Sequence, residues 1–221
     1  MIQEIAAQMV QIQAGKIILK NERSHFRWIV PVQPFAISQF VVTQEQYQLF
    51  ARDLVIQEQD SKKPVVDVSW LSAIAFCDFL SEKAGLTRCY SWDSTGLVLC
   101  DWTANGYRLP SEAEWEFACR AGSTEVRYGE LNEIGWYEEN AEAQLHPVGA
   151  KKPNALGLYD TIGNVWEWCW DVFDAKVYGD YRVFRGGGWS DPARSCRASC
   201  RRKSHPTFCV DDLGFRLAQT I

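Results

Sequence analysis

The chain has 221 residues, 47% of them hydrophobic, with ten Trp, eleven Phe and eight Tyr, and this excludes a disordered polymer. Its length suffices to bury a core without cross-links. A net charge of −5 excludes general affinity for nucleic acid or for an anionic membrane surface.

In chain order, Met9–Ile12, Lys16–Leu19 and Phe35–Val42 read as extended segments. Thr43 is placed to cap a helix over Gln44–Arg52, and Pro64–Val68 reads as a short strand. Ser69 caps the next helix, Trp70–Ala84, whose apolar positions repeat every 3.6 residues until Gly85 closes it. Cys89 and Cys100 flank a hairpin that turns at Asp93-Ser94-Thr95-Gly96, and they could face each other across it. Ser111 with Glu114 makes a capping box for a helix over Glu112–Arg120. Residues 121–155 are loop-rich, and short aromatic strands follow at Leu158-Tyr159 and Val165–Trp170. Two early helices among short strands and long loops predict one α+β domain over residues 1–221. So many indoles and phenols need partners for their polar atoms, which predicts an irregular core.

No stretch reaches the length of a membrane span, and Met1–Ile5 lacks the basic and apolar regions of a signal peptide. The expected location is therefore cytoplasmic, with the eight cysteines as free thiols. No cysteine or histidine grouping has zinc spacing.

Residues 182–221 hold eight Lys or Arg against three Asp, a net of +5 that leaves −10 on the rest. Arg185 and Arg216 read as internal clamps, whereas Arg197, Arg201 and Arg202 read equally well as internal or as surface. This tail opens on Arg185-Gly186-Gly187-Gly188-Trp189 and closes on Leu213-Gly214-Phe215-Arg216-Leu217, with no apolar period between. A segment held at both ends and irregular in the middle suits a site displayed on a scaffold.

Three blocks, Gly106-Tyr107-Arg108-Leu109-Pro110-Ser111-Glu112-Ala113-Glu114-Trp115-Glu116, Gly157–Trp168 and the two frames of the tail, resemble the formylglycine-generating-enzyme (sulfatase-modifying factor) family in order and spacing. The resemblance covers residues 9–218 and implies an elaborated C-type-lectin-like fold. It also implies structural calcium at Asp160, Gly163, Val165 and Glu167. Read directly, those carboxylates and turn carbonyls suit a hard cation, while Glu167 could instead pair with an arginine.

The family's enzymes oxidise a substrate cysteine with two active-site cysteines and copper. At the matching positions this chain has Asp191 and Cys196, and Gly188 stands where those enzymes have serine. Aspartate is a poor ligand for Cu(I), so copper and a catalytic Cys196 belong only to an oxidase alternative. The related iron-dependent sulfoxide synthases need histidines that His25, His146 and His205 cannot supply.

The tail also resembles the variable proteins of diversity-generating retroelements, where adenine-randomised codons diversify residues between such frames. Those codons cannot reach Trp, Met, Lys, Gln or Glu. The residues Ser190, Asp191, Ser195, Ser199, Cys200, Ser204, His205, Thr207, Phe208, Cys209, Val210, Asp211 and Asp212 all lie in the reachable set, while Lys203 must be fixed. The expected function is a non-catalytic ligand-binding surface over 190–212, inside a variable region of 186–217. Trp189, His205 and Phe208 are its expected anchors, with Arg197 and Arg201 as charged contacts and a protein as its ligand. Another non-catalytic member of the family is the remaining alternative.

Overall fold

The computed structural model describes residues 1–22 and 24–221. In order the elements are α1 (Ile2–Ala7), β1 (Met9–Ile12), β2 (Gly15–Lys20), β3 (Arg27–Val32), β4 (Phe35–Ser38), α2 (Gln44–Tyr47), a 3₁₀ turn (Glu58–Asp60) and α3 (Trp70–Lys83). Then come β5 (Tyr90–Trp92), β6 (Val98–Cys100), β7 (Tyr107–Arg108), α4 (Glu112–Arg120) and α5 (Leu131–Ile134). The last are β8 (Trp166–Val172), α6 (Ala175–Tyr178), β9 (Arg182–Arg185), β10 (Arg201–Ser204), β11 (Leu213–Gly214) and β12 (Ala218–Thr220). The mixed α+β class is as expected from the sequence.

Two four-stranded sheets organise the chain, in the orders β1-β4-β12-β7 and β10-β9-β8-β11, beside the hairpins β2-β3 and β5-β6. The C-terminal strand β12 pairs antiparallel with both β4 and β7, so it locks the first part of the chain to the last. In the second sheet β8 pairs antiparallel with β9 and parallel with β11.

The strongest local signals hold. Ser69 Oγ accepts from Ser72 N at 3.1 Å and opens α3. The Ser111–Glu114 capping box opens α4, with Ser111 N donating to Glu114 Oε2 at 2.8 Å. Asp93 Oδ1 gathers Thr95 N, Thr95 Oγ1 and Leu97 N and turns the β5-β6 hairpin. Cys89 and Cys100 flank that hairpin as free thiols, like the other six.

Three expectations fail for stated reasons. The Thr43-capped helix stops at Tyr47, where i→i+3 bonds from Leu49 to Gln46 and Phe50 to Tyr47 tighten the chain into turns. Pro64–Val68 is no strand beyond one bridge, Thr43 to Pro64: Asp67 takes φ +56°, and Val65 and Asp67 donate to Val42 and Val210 instead. Leu158-Tyr159 is irregular chain after a turn at Ala155-Leu156: the Leu158 carbonyl accepts from Asn154 N, and Tyr159 N donates to Gln39 O.

The fully buried indoles are satisfied. Trp70 Nε1 donates to Cys169 O, Trp168 Nε1 to Val68 O, Trp115 Nε1 to Glu167 Oε2 and Trp166 Nε1 to Asp191 Oδ2. Each bond ties one chain region to another far away in sequence, and so stabilises an irregular core that helices and strands alone would not hold.

No helix among the described residues is long and apolar enough to cross a membrane.

Candidate functional site

The tail's two frames are set by buried charge. On α4, residues Glu112, Glu116 and Arg120 fall four apart on one helical face, against the second sheet. Glu112 receives Arg201 at 2.6 and 2.7 Å and lies 3.2 Å from Arg185 Nε. Glu116 receives Arg185 and, at 2.7 Å, Arg120. The order is therefore Arg201, Glu112, Arg185, Glu116, Arg120, with alternating sign and little exposure. In the second frame Arg216 Nε and Nη2 bind both oxygens of Glu167 at 2.6 and 2.7 Å, and neither side chain is exposed. Arg216 also donates to the Ser38 and Tyr159 carbonyls. Such pairs specify one arrangement, because breaking one leaves a buried lone charge.

This geometry does not fit the expected calcium set of Asp160, Gly163, Val165 and Glu167. Both Glu167 oxygens already face the Arg216 guanidinium, and the Trp115 indole occupies one of them as well. The Gly163 carbonyl accepts from Val165 N at 2.9 Å. Asp160 keeps one bond, from Gly149 N at 2.7 Å, with its other oxygen buried and unpartnered. Among the described residues no three Asp, Glu, His or Cys are placed to share a metal ion.

Between the frames, the expected ligand residues separate into three environments. Asp191 and Ser195 are buried, so neither belongs to a surface. Asp191 is a structural acceptor: its Oδ2 takes the Trp166 indole at 2.5 Å and Gly188 N at 3.1 Å, and its Oδ1 takes Arg202 at 2.7 Å. The serine of the enzymes would fit at Gly188 only if Asp212 shifted, since a Cβ there would lie 2.6 Å from Asp212 Oδ2. Cys196 is fully buried, and burial pushes its thiol up to about 12, far from a thiolate ready to bind copper.

The second group faces sideways. Arg197 pairs with Glu22 at 2.6 Å, and Ser199 Oγ donates to the same carboxylate at 2.5 Å, on the turn of the β2-β3 hairpin. Arg201 stacks over Phe173 at 4.3 Å, and half-buried Cys200 lies beside it in a cleft lined also by Tyr178 and Lys203.

The third group is a face. Ser190, His205, Thr207, Phe208, Cys209 and Asp211 are exposed, and Trp189, Ser204 and Val210 half-exposed. Phe208 leaves 40% of its surface in water. The loop is pinned by Leu71 N donating to Pro206 O and Asp67 N to Val210 O, and its tip is braced by His205 Nδ1 on Thr207 Oγ1 at 2.8 Å. Trp189 Nε1 reaches Asp211 O at 3.3 Å and joins the first frame to this tip.

Arg202 belongs to the same face, over the Trp166 ring at 4.5 Å, with its side chain 48% exposed. The sequence reading left it outside the site. Its signal was available only from strand alternation, because β10 points Arg201 and Lys203 to one side and Arg202 to the other. The region expected to be irregular thus contains a strand, paired residue by residue with β9 from Arg201–Arg185 to Ser204–Arg182.

Comparisons with known proteins agree with this scaffold. Chaperone protein LppX of Paenibacillus barcinonensis is 30% identical, over 86% of this chain and 82% of that protein. Serine/threonine-protein kinase pkn1 of Chlamydia pneumoniae is 32% identical over 76% of the chain, which spans only 26% of the kinase. Inactive C-alpha-formylglycine-generating enzyme 2 of Mus musculus is 30% identical, over 86% of the chain and 77% of that protein. Among solved structures, Treponema denticola variable protein 1 superposes with a TM-score of 0.84 at 32% identity, covering 96% of this chain and 95% of that one. Residues 2–221 match the sulfatase-modifying factor enzyme 1-like domain, and the chain belongs to that family.

Proposed function

We propose that the chain is a non-catalytic ligand-binding protein whose residues 190–212 carry a diversified surface, as in the variable proteins of diversity-generating retroelements. The observation that carries this reading is the conversion of the catalytic positions to scaffold. Asp191 holds Trp166, Gly188 and Arg202 in place, and Cys196 is sealed beneath them. Likeness to a variable protein and to an inactive enzyme supports it. The binding elements are Trp189, Ser190, Arg202, His205, Thr207, Phe208, Cys209 and Asp211, on a loop clamped at both ends, which lowers the entropy lost on binding. Its mixed aromatic, hydroxyl and charged character suits a protein ligand.

The test is the DNA beside the gene. A reverse-transcriptase gene with a near-copy of the 190–212 coding segment, and sister isolates differing at the exposed codons, are the expected findings. A locus with neither overturns the reading. For the oxidase alternative, the protein loaded with Cu(I) is assayed on a cysteine-containing sulfatase-type peptide. No turnover is expected, and turnover lost in Cys196→Ser would reverse the conclusion.

The Glu167–Arg216 pairing supports a second-block turn that needs no calcium. Dialysis against EDTA is expected to leave the melting temperature unchanged, and a clear rise on adding calcium would restore the metal.

A further inference from the structure

A second interaction surface lies on the scaffold itself, and it does not depend on whether residues 190–212 vary. Among the described residues, strand β2 pairs only with β3. Asn21 N donates to Phe26 O at 2.9 Å where the hairpin closes. By the two-residue repeat of an antiparallel ladder, Leu19 and Ile17 turn their backbone groups towards β3, and Lys16, Ile18 and Lys20 turn theirs away. Residues of that strand, Lys16, Ile17, Ile18 and Lys20, line a groove of about 510 Å³ together with Arg27 of β3 and the 122–126 loop. Phe117 and Val126 supply apolar lining, and the groove's carboxylate is Glu125.

Three of the four cations of this groove have no ion-pair partner among the described residues. Lys16, Lys20 and Arg27 line it, and no described residue forms an ion pair with any of them. Glu22, the acid nearest in sequence, is held by Arg197 and Ser199. Arg120, by contrast, is fully used by Glu116 and the Glu125 carbonyl. Unused backbone donors and acceptors along an open edge are a template for another strand. Lysines on that edge disfavour a second copy of this chain, since β2 against β2 would set lysine near lysine.

We propose that the β2 edge binds an extended acidic segment of a partner protein by strand addition, with acidic and apolar residues in alternation. Acidic side chains meet Lys16, Lys20 and Arg27, and apolar ones meet Phe117 and Ile17. The edge from Lys16 to Lys20 accommodates about four to five residues at ~3.4 Å each.

The experiment is fluorescence polarisation of the whole protein with fluorescein-labelled Glu-Val-Asp-Val-Glu. Saturable binding is expected, reduced about tenfold or more in Lys16→Glu/Lys20→Glu, with Lys16 exposed and Lys20 half-buried. Two further probes need no protein variant: one N-methylated at its valines, the other at its acidic residues. Strand addition uses only alternate N–H groups, so one methylated probe loses binding and the other keeps it. Equal binding of both, equal binding of Lys-Val-Lys-Val-Lys, or no saturation below about 1 mM would each overturn the proposal.

Discussion

The frames and the tip of the same forty-residue tail obey opposite rules. In the frames every charged side chain has at least two partners: Arg185 touches Glu112 and Glu116, and Glu167 touches Arg216 and Trp115. At the tip, Thr207, Phe208 and Cys209 bond little beyond their own loop and stand in water. The difference teaches that a loop standing in water is held in place by over-determination nearby. A loop can carry arbitrary side chains when its ends are fixed by groups that tolerate no other arrangement.

Breaking a frame pair should have the largest effect. Arg216→Met leaves Glu167 buried and unpaired, and is expected to cost about 3–5 kcal/mol in urea unfolding. A loss below about 1 kcal/mol would mean that the frames are not the clamps described. Next, Gly188→Ser forces its Cβ onto the Asp212 carboxylate and is expected to cost about 1–3 kcal/mol without creating oxidase activity.

Asp212 sits where frame meets tip, and burial, then Asp191, raises its carboxyl above the ordinary aspartate range. The folded state therefore holds this proton more tightly than the unfolded chain does. Its contribution to stability is full below the ordinary aspartate pKa and is lost as pH rises through the raised value. Asp212→Asn should remove that part of the decline, seen as a smaller drop in melting temperature between pH 4 and pH 7. An unchanged drop would free Asp212 of this role.

Smallest of all, Phe208→Ala should shift stability by no more than about 0.5 kcal/mol. In the same native protein a thiol reagent should modify exposed Cys209 quickly and buried Cys196 only on unfolding. Fast modification of Cys196 would erase the distinction between frame and tip.

Much of the frame was legible because its signals are local or chemical. The Ser111–Glu114 box lies within one helical turn, and Arg185 and Arg216, read from the sequence as internal clamps, are buried. The tip was legible as a segment without periodicity. What the sequence did not disclose depends on partners far away. Glu22 is 177 residues from Ser199, and Arg201 is 89 from Glu112. The strand β10, Arg-Arg-Lys-Ser, has no apolar alternation, so its conformation comes from pairing with β9. Asp67 ends an apparently good strand through a left-handed backbone that its residue type permits but does not announce. The burial of Asp191 and Ser195 was hidden for the same reason, since hydrophilic residues become internal only where indole and guanidinium donors meet them.

The ladder on α4 also bears on inheritance. Glu112 is neutralised twice, by Arg201 from the tail's interior and by Arg185 from its frame. A codon change at Arg201 removes one counter-ion and leaves the other in place, so the carboxylate is never stranded. Redundancy of that kind widens the range of sequences that still fold, and it lets one rung be rewritten while the helix behind it keeps its position.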